Sequence, residues 1–205
     1  PGATAAALPA QPRGPTLAPR ARPPEGPEWL HEMLIDGRRL LARATLGEEV
    51  ALFDDDGEPL DGEESACFAA VANAVGQLPA QDLVVDGVVT ALFPDGRPRA
   101  NGLPAALEGE GDGVLTYYLT DLLFLDGHDL SATPLARRKA LLTALLARVS
   151  PPGPLRLSDH IPGNGEAFFR QACQVGLPGI VSRRADAAVG APNAAFVVAC
   201  VSGSA

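Results

Sequence analysis

The spacing of apolar and polar residues changes near Trp29. Residues 1–27 hold many prolines and alanines with scattered arginines and show no apolar periodicity, a composition typical of a flexible or polyproline-like tail. From residue 28 to 205, dense apolar runs alternate with Gly, Pro and Asp. The pattern predicts a tail over 1–27 that contributes nothing to the core and one folded domain over 28–205, since the chain is long enough for a sizeable core.

Several apolar runs have the length and the β-branched or alternating composition of strands. "RRLLARA" and "EEVALFD", joined by "TLG", predict a hairpin. The other predicted strands are "DLVVDGVVTALF", "GVLTYYLTDLLFLDG", "LRLSDHI", "GIVSRR" and "AAFVVACV".

Three segments have helical spacing. "LARRKALLTALLARV" places leucines three and four apart after the start signals Thr133 and Pro134, with its basic cluster predicted to face outward. "SACFAAVANAV" predicts a helix capped by Ser65, and "GEAFFRQACQVG" one that closes on Gly176. Short strands mixed with a few helices predict an α+β fold built on twisted antiparallel sheets.

Charge and cysteine usage narrow the function classes. The net charge of −9 disfavours nucleic acid, whose binding depends on cations that neutralise phosphates. The acidic run from Glu48 to Glu64 either docks a basic partner or is solvated loop charge. Cys67, Cys173 and Cys200 are far apart without a C-x-x-C pair, which predicts neither a disulfide framework nor a zinc site and favours a reducing compartment.

No apolar run approaches the roughly 18 residues of a spanning helix, and "TAAALPA" is too short for the apolar core of a signal peptide. We therefore expect a cytoplasmic protein without membrane contact. His31, His128 and His160 have no cysteine or carboxylate at ligand spacing, so no metal site is predicted.

Five segments, taken in order, carry a family resemblance. They are "WLHEMLIDGRRLLAR", "LVVDGVVTAL", "YYLTDLLFLDGHDLSATPLARRKALL", "LRLSDHIPGNGEAFFRQACQVGLPGIVSRRAD" and "FVVAC". From Trp29 to about Cys200 the chain resembles the adenylation domain of ATP-dependent DNA ligases, most closely the bacterial end-joining type (ligase D).

The resemblance implies a nucleotidyltransferase fold, with two antiparallel sheets flanked by helices and ATP in the cleft between them. In the family, AMP is attached to a lysine and then passed to a DNA 5′-phosphate. An oligonucleotide-binding barrel normally follows "FVVAC". Since this sequence ends at Ala205, we expect no barrel in it.

At the matching positions this chain departs from the family pattern. The first motif, K-x-D-G-x-R, falls on residues 34–39, where Leu34 replaces the lysine. An isobutyl group has no lone pair to attack a phosphate, and Lys139, the only lysine, is predicted to lie on the outer face of its helix. The other departures are Val88 for the metal-and-ribose glutamate, Thr120 for the adenine-stacking aromatic, Pro178 for a carboxylate, Arg183 for a lysine, and Val197 and Ala199 for two phosphate-binding lysines.

The replacement of charged side chains by aliphatic ones predicts a cleft that binds neither ATP nor Mg²⁺, so we expect no cofactor. The leading interpretation is a repurposed domain that binds or transforms a small non-nucleotide molecule, a role that suits specialised biosynthesis. Asp36, Asp86 and Asp121 are the candidates for proton transfer, and Arg39 and Arg183 for orienting an anionic or carbonyl group. Alternatively, Asp36 and Asp86 precede glycine in turns and bond their own backbone.

Two rival interpretations belong to other classes. One is a non-catalytic interaction protein, a pseudoenzyme whose cleft is filled by its own side chains and whose acidic loops or Pro-rich tail engage a protein partner. The other is residual binding of DNA ends in repair. A cavity of a few hundred Å³ in the cleft would indicate a small-molecule ligand. A cleft that is filled by the protein's own side chains would indicate the interaction protein.

Overall fold

The computed structural model describes residues 2–96, 102–150 and 153–200. Its strands are β1 (Thr4–Ala5), β2 (Ala18–Pro19), β3 (Trp29–Met33), β4 (Arg38–Thr45), β5 (Ala51–Phe53), β6 (Asp82–Leu92), β7 (Val114–Leu125), β8 (His128–Asp129), β9 (Leu155–Leu157), β10 (His160–Pro162), β11 (Gly179–Arg184) and β12 (Ala195–Ala199). Its helices are α1 (Gly62–Cys67), α2 (Ala69–Gly76), α3 (Gly102–Leu107), α4 (Leu135–Leu146) and α5 (Gly165–Gln174).

The strands form two sheets. The larger sheet has the order β1-β8-β7-β6-β4-β5, with β9 added beside β7, and the smaller has the order β10-β3-β11-β12-β2. Neighbouring strands are antiparallel except for β7 with β9 and β12 with β2. This arrangement confirms the predicted α+β fold with two antiparallel sheets.

Most predicted strands are present in the described residues, but the run "LRLSDHI", predicted as one strand, is divided into β9 and β10, which pair in different sheets. β4 and β5 form the expected hairpin, and the β-branched run of β6 pairs along its whole length with β7. Val201, the last residue of the predicted C-terminal run, lies outside the described residues.

Two helix starts differ from the prediction. The helix predicted with a Ser65 cap is broken at Phe68 into α1 and α2, and Asp61 caps α1 by accepting a 2.9 Å hydrogen bond from the Glu64 amide. An aspartate carboxylate at this position stabilises the free amides of the first turn. For α4, Pro134 is the N-cap residue, and the Thr133 hydroxyl makes no cap hydrogen bond.

The main core lies between the larger sheet and helices α2 and α4. Among its fully buried members are Leu40, Phe68, Val71, Val75, Val85, Tyr117, Leu119 and Leu142. The Tyr117 hydroxyl donates to the Leu40 carbonyl at 2.7 Å, so the one polar atom of this large side chain is satisfied. Helix α5 packs on the smaller sheet through Ala172 and the side chains of Phe168 and Phe169.

The N-terminal segment packs on both sheets, where its composition predicted a tail without core contacts. We call residues 2–27 the strap. β1 pairs with β8 at the edge of the larger sheet, and β2 extends the smaller sheet beside β12. Its buried side chains are Pro12, Pro15, Pro23 and Pro24. Backbone pairing and buried proline rings hold the strap in place. Such contacts produce no periodic apolar pattern in the sequence, so the composition predicted only a tail.

The structure joins Cys173 to Cys200 in a disulfide, with Cα atoms 5.5 Å apart. The expectation that the cysteines form no disulfide was therefore wrong. The two residues are distant in sequence, but the end of α5 and the end of β12 meet because β11 lies between them and runs antiparallel to β12. Cys67 is exposed and free.

Among the described residues, no helix is both long enough and apolar enough to cross a membrane.

Candidate functional site

The two sheets face each other across a cleft with a cavity of about 70 Å³. β3 and β11 supply one wall, and β4, β6 and β7 supply the other. Of the predicted site residues, those that line this cavity are Leu34, Arg39, Asp86, Val88, Thr120 and Arg183. Asp121 lies buried behind Arg183. Pro178, Val197 and Ala199 lie outside the cavity lining, and Asp36 lines a different pocket.

Arg39 and Asp86 form a two-fold ion pair on the wall of the larger sheet. Nε and Nη2 of Arg39 donate to the two carboxylate oxygens of Asp86 at 2.9 and 2.8 Å. They meet because β4 pairs with β6 and places Arg39 opposite Val88, two residues from Asp86 on the same face. Burial raises the pKa of Asp86, and the Arg39 guanidinium opposes that rise. Asp86 lies inside β6. The alternative interpretation, in which Asp86 bonds its own backbone in a turn before glycine, is therefore wrong for this residue.

Glu32 connects the smaller sheet to helix α4. Its carboxylate is buried and accepts from Arg183 Nη2 at 2.6 Å and from Lys139 Nζ at 2.9 Å. Burial works against ionisation of Glu32, but the charges of Arg183 and Lys139 outweigh it, so the pKa of Glu32 lies below its ordinary value.

Lys139 points into the protein, so the prediction that it lies on the outer face of its helix was wrong. Its ammonium donates to Glu32, to the Ser158 carbonyl at 2.9 Å and to the Thr120 carbonyl at 3.2 Å. Burial lowers the pKa of Lys139, and Glu32 counteracts this effect. All three N–H groups of the ammonium thus have acceptors within the protein, and a protonated amine has no lone pair for nucleophilic attack. Arg138 is buried as well, which overturns the outward basic cluster of α4.

Arg183 joins the two walls of the cleft. Besides Glu32, it donates to Asp121 Oδ2 at 3.1 Å and to the Thr120 carbonyl at 2.6 Å. Arg138 donates to both oxygens of Asp121, at 2.7 and 2.9 Å. Both carboxylate oxygens of Asp121 are thus engaged by arginines.

A β-bulge makes the Thr120 carbonyl available to these cations. The register between β6 and β7 shifts between Asp86 and Gly87, so Asp121 pairs with Asp86 while Leu119 pairs with Gly87. Thr120 is the extra residue, and its carbonyl turns from the ladder to Lys139 and Arg183. Its hydroxyl donates to the Asp86 carbonyl at 3.2 Å.

Four residues of this charged cluster were missed by the sequence reasoning: Glu32, Arg138, Lys139 and Ser158. A signal existed for three of them. Glu32 interrupts the apolar strand run "WLHEM", and Arg138 and Lys139 fall near the leucine register of α4. Charged residues are almost never fully buried without a partner, so such positions indicate buried ion pairs.

The strap covers this cluster. Pro15 and Leu17 line the cavity together with Glu32, Arg39 and Arg183. Gly14 lies directly on the Arg39–Asp86 pair, where a Cβ atom would overlap the guanidinium and lie 2.9 Å from Asp86 Oδ2. Part of the cleft volume is therefore taken up by the chain's own N-terminal segment.

A second pocket of about 580 Å³ opens beside the first motif. Its charged lining residues are Asp36, Arg38, Arg39, Asp54 and Asp55. Asp36 is exposed at this pocket. The pocket carries both signs of charge, unlike the apolar cleft that the substitutions predicted.

The histidines do not form a metal centre in the part of the chain that is described, where no group of three or more His, Cys, Asp or Glu could hold a metal ion. His31 is buried, and its Nδ1 lies 2.9 Å from the Ser182 hydroxyl oxygen. His128 and His160 are exposed.

Two facing antiparallel sheets with charged residues converging between them define a nucleotidyltransferase-type domain. The chain belongs to the adenylation domains of ATP-dependent DNA ligases. It is 34% identical over 164 residues to the multifunctional non-homologous end joining protein LigD of Pseudomonas aeruginosa, covering 80% of this chain and 19% of that protein. It is 30% identical over 161 residues to a probable DNA ligase of Beutenbergia cavernae, and the match covers 76% of this chain and 30% of that protein.

Solved structures agree with this assignment. The ligase domain of Mycobacterium tuberculosis LigD matches with a TM-score of 0.70 and 25% identity, over 90% of this chain and 60% of that one. A mycobacterial DNA ligase D complexed with ATP and MES matches with a TM-score of 0.66 and 25% identity, over 89% of this chain and 60% of that one. No family model matches the chain. The chain spans between about a fifth and a third of these curated relatives.

With the strap in place, ATP and a divalent cation, which the fold family implies, do not fit this cleft. The cavity of about 70 Å³ is well below the several hundred Å³ typical of small-molecule sites. Glu32 and Asp121 already bind protein cations and offer no free oxygens to a metal.

Proposed function

We propose that this chain is a DNA ligase-type adenylation domain that has lost ATP-dependent nucleotidyl transfer and acts as a non-catalytic interaction protein. One observation carries the proposal: the cleft is filled from within, by the strap and by ion pairs, to a residual volume of about 70 Å³. The small residual volume supports the interpretation as a non-catalytic interaction protein better than the interpretation as an apolar cleft for a small molecule.

The chemistry of the cleft supports the same conclusion. Adenylyl transfer to the protein begins with an unprotonated amine that attacks the α-phosphate. Leu34 lines the cavity and has no nitrogen in its side chain. Lys139 has a lowered pKa, but its nitrogen is enclosed by Glu32 and two carbonyl oxygens.

The cations of the cleft are also committed to the protein. Arg39 and Arg183 could neutralise a triphosphate, but each is paired with buried carboxylates. Freeing a buried cation from its carboxylate costs about 3–5 kcal/mol. Nucleotide binding would have to offset this cost and the displacement of Pro15 and Leu17.

Incubation with Mg²⁺ and ATP labelled on the α-phosphate tests the proposal. We expect no labelled protein and no change in melting temperature, since a ligand that does not bind the native state does not stabilise it. Leu34→Lys should also stay unlabelled because the other cleft groups are not restored. Label on the unmodified chain, or a rise of several degrees with ATP, would refute the loss of nucleotide chemistry.

A small-molecule function is the second candidate, favoured by the open pocket of about 580 Å³ at Asp36. Its size suits a metabolite, and Asp36 with Arg38 could engage a ligand that carries both charges. Untargeted mass spectrometry of material that co-purifies with the protein tests this candidate. A metabolite retained by the unmodified chain and lost in Asp36→Asn would support it, and no retained compound would count against it.

A further inference from the structure

The centre of the strap, residues 12–20, crosses the cleft in the manner of a bound peptide. Gly14 contacts the Arg39–Asp86 pair, Pro15 is buried, and Leu17 lines the cavity. Thr16 and Ala18, which alternate with Pro15 and Leu17, are exposed. Alternation between buried and exposed side chains is how an extended segment occupies a groove.

The next residues add a strand to the smaller sheet. Ala18 and Pro19 pair in parallel with Phe196 and Val197 of β12, and the Arg20 amide donates to the Val197 carbonyl at 2.9 Å. The Arg20 guanidinium stacks over the Phe196 ring at 4.8 Å. Strand addition with alternate side-chain pockets is a general mode of peptide recognition.

This attachment is shallow compared with the core. Thr16, Ala18, Pro19 and Arg20 are all exposed, and Leu17 is only half-buried. By contrast, Trp29 and Leu30, which follow the strap, are buried. Releasing residues 12–20 would expose the buried rings of Pro12 and Pro15 and part of Leu17. This is much less apolar surface than global unfolding exposes, so the free energy lost is a fraction of the global value.

We propose that residues 12–20 are an intrachain ligand of the cleft, and that the groove beneath them binds an extended proline-containing peptide of a partner protein by displacing them. The contacts define the partner sequence as Gly-Pro-x-Leu-x-x-Arg. Glycine lies on the Arg39–Asp86 pair, proline and leucine enter the cavity, and arginine stacks on Phe196. The inference rests on the proposed function, in which the cleft holds no nucleotide.

Two single substitutions should release the strap. Leu17→Asp would bury a carboxylate in a cavity whose arginines are already paired with Glu32 and Asp86. Gly14→Val places a side chain into the Arg39 guanidinium. Ala21→Asp is the matched control, because Ala21 is exposed beyond the groove. Trypsin cleavage between Arg13 and Gly14 reports release, while circular dichroism confirms that each variant is folded.

The binding probe is a fluorescein-labelled synthetic peptide of residues 12–22, followed by anisotropy. A tethered segment competes at an effective concentration on the order of millimolar, so both released variants should bind the peptide at least about tenfold more tightly than the unmodified chain or Ala21→Asp. The same peptide with Gly14→Val should not bind.

A folded, trypsin-sensitive variant that fails to bind the peptide would overturn the inference. So would folded variants in which cleavage at Arg13 is no faster than in the control. The two proposals fail separately, because labelling by ATP would refute the loss of nucleotidyl transfer whatever the peptide does, and absent peptide binding leaves that loss untouched.

Discussion

At the scale of single residues, Glu32 organises the cleft. Its buried carboxylate binds Arg183 from its own sheet and Lys139 from α4. Burying one charge is costly, and each additional ion pair and hydrogen bond offsets part of that cost. The cluster is therefore stable only when every member is present, and removal of one leaves an unpaired charge in a dry site.

Glu32→Gln should lower the free energy of unfolding by about 3–5 kcal/mol at pH 7, because Lys139 and Arg183 lose their shared carboxylate. Glu48→Gln is the control, since Glu48 is exposed. Urea unfolding monitored by circular dichroism measures both. A loss no larger than that of the control would show that the ion pairs contribute nothing net.

The same variant tests the pH dependence. The folded-state pKa of Glu32 is depressed below 4.5, so its contribution to stability is present above that pH and is lost as the pH falls through the folded-state value. The unmodified chain should lose stability on acidification below pH 4.5, and Glu32→Gln should lose less. Parallel curves for the two proteins would contradict this assignment.

At the scale of elements, the Cys173–Cys200 disulfide links α5 to the end of β12. It closes a segment with a sequence separation of 27 residues, which includes β11. A cross-link of this kind stabilises a protein chiefly by restricting the unfolded chain. Since β12 also holds the strap through β2, the cross-link secures one side of the groove.

Cys200→Ser should lower the free energy of unfolding by roughly 3 kcal/mol under oxidising conditions. In reductant the variant and the unmodified chain should become equal. Cys67→Ser, at the exposed free cysteine, should have no effect in either condition. Thermal unfolding with and without reductant measures these differences. If Cys200→Ser still lowers the stability in reductant, the loss comes from packing of the side chain and not from the disulfide.

At the scale of the whole molecule, the net charge bears on whether the chain binds DNA. The relatives are DNA ligases, whereas this chain has a net charge of −9. Much of the negative charge lies in the run from Glu48 to Glu64, where α1 has no buried residue. From this balance we expect no residual binding of DNA ends, and that expectation stays a prediction.

A gel shift with nicked duplex DNA at low salt should show no retarded complex, because few cations of the cleft are free to meet phosphates. The ligase domain of Pseudomonas aeruginosa LigD serves as the positive control. A retarded band that disappears with increasing salt would establish electrostatic DNA binding and would favour the repair interpretation.

The sequence by itself determined the fold class and most elements of this protein. β6, β7 and α4 follow from local periodicity, which a sequence records directly. The ordered motifs also led to the ligase adenylation family, and the placement of Leu34 at the lysine position stays a prediction. These features are local or depend on the order of segments along the chain, so they do not require the tertiary structure.

Only the tertiary structure decided what fills the cleft. The inward direction of Lys139 and Arg138 depends on carboxylates that come from other strands, and the pairing of Cys173 with Cys200 depends on how β11 and β12 are arranged. The position of the strap depends on free strand edges in two sheets, and its proline-rich composition alone predicts a tail. Contacts between residues distant in sequence determine these features, and hydrophobic periodicity carries no record of such contacts.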